Sequence, residues 1–136
     1  MRAFELVLLC VVAMGLAGCD EQPPLELSAG ATVVMETMDP GGDHEMINMY
    51  HLDGDDLRLT HYCAGGNQPT MRATALEGNE LAFRFESVRD LKSADDVYMG
   101  EMTLVFLDDG SVEQRWNALK SGQVDHGITF KLTRAP

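Results

Sequence analysis

Residues 46–63 read MINMYHLDGDDLRLTHYC, Met46 to Cys63. Apolar and polar residues alternate on both sides of DGDD, Asp53 to Asp56, and a period of two marks strands rather than helices. Glycine among aspartates supplies the positive φ that a tight hairpin needs. Whether the tip takes two or four residues, even-numbered positions of the first strand pair with odd-numbered positions of the second. One face therefore holds Met46, Asn48, Tyr50 and Leu52 with Leu57, Leu59, His61 and Cys63. The other holds Ile47, Met49 and His51 with Arg58, Thr60 and Tyr62. The leucine pair assigns the first face to the interior, which aims His61 and Cys63 inward beside Asn48 and Met46.

The same period continues away from this hairpin. It predicts strands near Thr32–Met38, Thr70–Leu76, Leu81–Glu86, Tyr98–Leu107, Val112–Leu119 and Ile128–Thr133. PGGDH, AGGNQP, EGNE, DDG and KSGQVD stand between them as turn chemistry, and Ser87–Asp96 is a longer connection with room for one helical turn. Leu81, Phe83 and Phe85, then Met102, Leu104 and Phe106, then Ile128, Phe130 and Leu132 are the expected inward sets. Short strands joined by tight turns predict an all-β fold, an antiparallel up-and-down meander closing a barrel more readily than a sandwich.

The N-terminus has a different character. One arginine, an uncharged run from Leu6 to Ala17 and small residues up to Cys19 form a secretory signal, residues 1–18. Its apolar run is shorter than the roughly 20 residues that span a bilayer. Leu16-Ala17-Gly18-Cys19 resembles the lipobox of bacterial lipoproteins, which implies lipidation of Cys19, palmitate among its chains, and cleavage before it. Several acyl chains hold where one holds only weakly, at about 0.8 kcal/mol per buried methylene. The expected location is the cell envelope on the periplasmic side. Asp20 resembles the residue that retains some lipoproteins in the inner membrane. Residues 19–30, rich in proline, charge and small side chains, read as a tether, and residues 31–136 as one β domain. With Cys10 in the signal and Cys19 lipidated, Cys63 has no partner for an intramolecular disulfide.

The formal charge is −12. Such a chain repels phosphate backbones and anionic lipid headgroups, which argues against nucleic acid as a partner and leaves the acyl anchor as the route to a membrane.

The run Met49–Ala73 resembles a group of uncharacterised secreted bacterial proteins with a lipocalin-like, or calycin, β-barrel, in which a T-H-Y-C strand end precedes G-N-Q-P. More loosely the likeness extends from about Ala31 to the C-terminus. It implies a barrel with an interior cavity for a small ligand of unassigned identity, and no established reaction. Thr70 stands where that pattern has a basic residue, and the stretch before Ala31 is shorter than the opening strands of such barrels. The expected barrel is accordingly short or partly open, or completed by a second protomer in a homodimer.

Asn48, Tyr50, His61, Cys63, Gln114 and Trp116 are the candidate ligand-binding residues, a few polar groups among Phe83, Phe85 and Phe106. A packed interior without a ligand, in an envelope interaction module, is the competing expectation. A metal or redox site at His61 and Cys63 is a third, since residues two apart on a strand share a side with Cα atoms roughly 6.5 to 7 Å apart. No metal or other cofactor is assigned. Parallel side chains at that spacing lie beyond the roughly 2.6 to 3.2 Å that a nucleophile and its base require. Glu86 and Glu101 fall on outward parities, so no inward carboxylate pair offers acid–base catalysis, and the chain is not assigned as an enzyme.

Overall fold

The computed structural model describes residues 25–133. Among the described residues, nine antiparallel strands follow one another in a single sheet, each hydrogen-bonded to its neighbour in sequence. They are β1 (Leu25–Ser28), β2 (Val33–Met38), β3 (Met46–Asp53), β4 (Asp56–Tyr62), β5 (Gln68–Ala73), β6 (Glu80–Arg89), β7 (Tyr98–Phe106), β8 (Val112–Lys120) and β9 (Gln123–Leu132). A short 3₁₀ turn, Ala29–Ala31, joins β1 to β2. The expected up-and-down meander is present as a curled half-barrel, with β1 and β9 as its two hydrogen-bonding edges among the described residues.

The central hairpin pairs as the sequence predicts, with Asn48 opposite His61, Tyr50 opposite Leu59 and Asp53 opposite Asp56. The tip is therefore two residues, Gly54 and Asp55, with Gly54 at φ 63°. Curling brings β2 and β8 face to face, and the interior fills with Val34, Leu57, Leu59, Met71, Leu81, Phe83, Met102, Leu104 and Trp116, all buried. Burying a large apolar side chain contributes roughly 1.5 to 3 kcal/mol, so this set holds the curl closed.

Several expectations are corrected. Leu25–Ser28, expected within the tether, pairs with β2 through Leu25 opposite Glu36 to Ser28 opposite Val33. β6 runs on to Arg89, and the connection that follows holds turns and bends instead of a helical turn. β9 begins at Gln123, five residues earlier than Ile128, because Ser121 and Gly122, both at positive φ, close a two-residue hairpin. Phe85, Ile128 and Leu52 are exposed. Phe85 lies beyond the last β6–β7 pair, Arg84 with Glu101, where the strands splay, and its ring leans on Tyr98 at 5.1 Å between centroids. Ile128 stands opposite Trp116, but among the described residues its strand has no neighbour on the far side. Leu52 pairs with Leu57 one step from the Asp53–Asp56 pair that closes the hairpin. Phe106, Phe130 and Leu132 pack against the core half-buried. The expected signal peptide, Cys19 and the first part of the expected tether, residues 1–24, lie outside the described residues. Among the described residues, no helix is long and apolar enough to cross a membrane.

Candidate functional site

Pairing across three strands sets Glu36 beside Asn48 and Asn48 beside His61, in one row on the concave face. Tyr50 stands two residues along β3 from Asn48, and β8 brings Gln114 and Trp116 from the opposite wall. These six polar or amphipathic side chains are buried, His61 and Glu36 at 1 % exposure each.

Glu36 is the centre of the group. Its Oε2 accepts from Asn48 Nδ2 at 2.8 Å and from the Tyr50 hydroxyl at 2.8 Å, and its Oε1 accepts from Gln114 Nε2 at 2.7 Å. The other ends of the two amides are held as well. Trp116 Nε1 donates to Gln114 Oε1 at 3.2 Å, and His61 Nδ1 lies 2.7 Å from Asn48 Oδ1. An indole N–H can only donate, and an amide oxygen can only accept, so the bonds from Trp116 to Gln114 and from His61 to Asn48 each have one direction. His61 is thereby held as the Nδ1–H tautomer. Its Nε2 keeps a lone pair, is buried, and has no protein partner.

Burial pushes the Glu36 carboxyl above the usual carboxylate range, against the three donors that draw it down. The same burial, with the Glu36 charge and hydrogen bond beside it, carries the Tyr50 hydroxyl well above its ordinary value. His61 is lowered to about 4 by burial, so its imidazole is neutral near pH 7. The Trp116 ring lies across it, 5.1 Å between centroids and tilted by 51°. Chemically, the arrangement leaves one hydrogen-bond acceptor, His61 Nε2, buried beside the Trp116 ring without a protein donor.

Five of the six expected residues, Asn48, Tyr50, His61, Gln114 and Trp116, come together here. Cys63 does not join them: it lies beyond the end of β4, half-buried, and its sulfur accepts the Gly65 N–H at 3.4 Å. Gly66 N–H bonds the Cys63 carbonyl at 2.8 Å, so this loop's glycine amides close the turn on Cys63. Among the described residues, no three His, Cys, Asp or Glu side chains gather closely enough to hold a metal ion. The residue that sequence reasoning missed is Glu36. Its signal was available, because Val34 and Met38, two positions away on either side, are apolar and share its parity. Glu86 and Glu101 lie outside the cluster, on Arg58 and Asn117 respectively.

A depression of about 310 Å³ lies on the opposite face, lined by His51, Thr60, Tyr62, Gln68, Thr70 and Arg89. Compared with protein-family models, with curated proteins and with solved structures, the chain matches none.

Proposed function

We propose that this chain is a lipid-anchored protein of the bacterial envelope whose curled sheet holds a small apolar or amphipathic molecule against His61. The observation that supports this most is the unpartnered Nε2 of His61, a buried lone pair whose tautomer is fixed by Asn48. A buried polar atom without a partner costs about 1–3 kcal/mol, and a ligand donor placed there would recover it. A neighbouring buried carboxyl and the −12 charge of the chain disfavour an anion. The ligand class is therefore a neutral molecule with one hydroxyl or N–H on an apolar body.

Trp116, the single tryptophan, lies against His61 and reports on the site. The test titrates the full chain with long-chain alcohols, fatty acids, haem and aromatic probes while following Trp116 emission. Hydroxyl-bearing apolar probes are expected to saturate, and His61→Phe to weaken them by about tenfold, the worth of one buried hydrogen bond. Saturation by none of the classes would defeat the ligand proposal and favour an interaction module without a small ligand. For the anchor, Cys19→Ala is expected to move the protein from the membrane to the soluble fraction; unchanged membrane association would remove the lipid anchor from the proposal.

A further inference from the structure

We infer that β9 is a self-pairing edge, through which a second copy of this chain joins the sheet antiparallel, centred on Ile128. This inference is independent of the ligand proposal.

β9 bonds to β8 on one side only, so among the described residues its other side is a free row of backbone donors and acceptors. Proteins blunt such edges by keeping them short, or with proline, lysine or bulges. The opposite edge, β1, is four residues long, whereas β9 has ten. β9 contains no proline; it carries one lysine, Lys131, and one bulge, at Asp125 between Val124 and His126, and 126–132 is a regular run. Ile128 stays 43 % exposed on this run although it sits opposite buried Trp116.

Charge favours a second copy as the occupant. In a chain of −12, any surface that meets its own duplicate must avoid like charges, and β9 holds one aspartate, one lysine and a histidine. Antiparallel self-pairing centred on Ile128 brings Asp125, the bulge residue at the end of the regular run, next to Lys131 of the second copy, twice by symmetry. It also sets Ile128 opposite itself and His126 opposite Phe130. Moving the centre to residue 127 or 129 leaves both charges without opposite partners. Within one copy, Asp125 meets the His126 ring at 2.7 Å and Lys131 meets Asp109 at 3.2 Å. Exposed pairs of this kind are worth about 0–1 kcal/mol, so both side chains are free to exchange partners.

The experiment uses the full chain in detergent, with Cys10, Cys19 and Cys63 all replaced by serine as background, and single cysteines introduced as His126→Cys, Ile128→Cys and Phe130→Cys. Directly opposed strand residues have Cβ atoms about 4.5–5.5 Å apart, within reach of a disulfide after small adjustment. Oxidation is expected to link Ile128→Cys at least tenfold more than either neighbour alone, and to link His126→Cys with Phe130→Cys when the two chains are mixed. Adding Asp125→Lys or Lys131→Asp to Ile128→Cys should lower the link several-fold, and adding both should restore it. Equal linking at all three positions, or failure of the double reversal to restore it, would overturn the register. Sedimentation of the otherwise unaltered chain in detergent checks the association without cysteines: a concentration-dependent dimer supports it, and a monomer at every concentration overturns it.

Discussion

At Glu36, the interior depends on one carboxyl group that collects three donors, two of which orient further rings. Removing it strands the Asn48 and Gln114 amides and the Tyr50 hydroxyl away from water. Glu36→Ala is therefore expected to cost about 3–5 kcal/mol in urea unfolding, whereas Glu36→Gln, which keeps one acceptor, should cost about 1–3. Equal costs would mean that the hydrogen bonds contribute nothing beyond volume. The two buried titratable groups also leave opposite marks on pH dependence. The folded Glu36 carboxyl holds its proton to higher pH than the unfolded one, so its contribution to stability falls as pH rises above the usual carboxylate range. His61 is lowered from 6.5 to about 4, so the unfolded chain binds the extra proton between those values. Its contribution is full above pH 6.5 and is lost as pH falls towards about 4, by up to about 3 kcal/mol. Urea midpoints measured from pH 4 to 7 separate them. Glu36→Gln should steepen the rise in stability with pH, and His61→Asn should remove that rise.

At the scale of the strands, local interruptions decide which predicted faces become core. β7 passes Gly100 with a register shift between Met99 and Glu101, and a Cβ there would overlap the Leu119 side chain of β8. Gly100→Ala should cost about 1–3 kcal/mol by forcing Leu119 off its packing. Gly65→Ala, whose Cβ would meet Cys63 Sγ at an ordinary 3.6 Å, should change stability by less than about 0.5 kcal/mol. Paired thermal unfolding of the two variants checks this, and comparable losses would refute the packing account. The hairpin's faces were legible because its pairing parity does not depend on turn size, and that parity placed Asn48, Tyr50 and His61 correctly. Gln114 and Trp116 were legible as polar and aromatic positions, but not their meeting with β2, since that contact spans 78 residues and depends on curl. Glu36 escaped notice because a charged residue is normally read as exposed, and only its strand-mates reveal otherwise. Strand alternation also says nothing about where neighbouring strands part. Phe85 and Ile128 keep the inward parity that sequence assigns and still reach solvent at a splay and at an edge. β1 was obscured by its prolines upstream, which read as tether.

For the whole molecule, every strand pairs with its neighbour in sequence, so the sheet can assemble from local hairpins before its walls meet. The bond from Gln114 to Glu36 joins residues 78 apart and exists only when the curl is complete. Closing so long a segment costs chain entropy that no single hydrogen bond repays, which places this contact after the rate-limiting step. Gln114→Met should therefore leave the refolding rate within about twofold while accelerating unfolding. It leaves the Trp116 indole without its acceptor and Glu36 without one donor, a loss of about 2–3 kcal/mol, which corresponds to an unfolding rate about 30- to 150-fold higher. Gly54→Val, at a hairpin tip with φ 63°, should act mainly on refolding, because that turn must form before β3 and β4 can pair. Stopped-flow Trp116 emission across a urea series measures both arms. Slowed refolding in Gln114→Met would show instead that the walls meet early, with β2 and β8 in the nucleus and the hairpins completing afterwards.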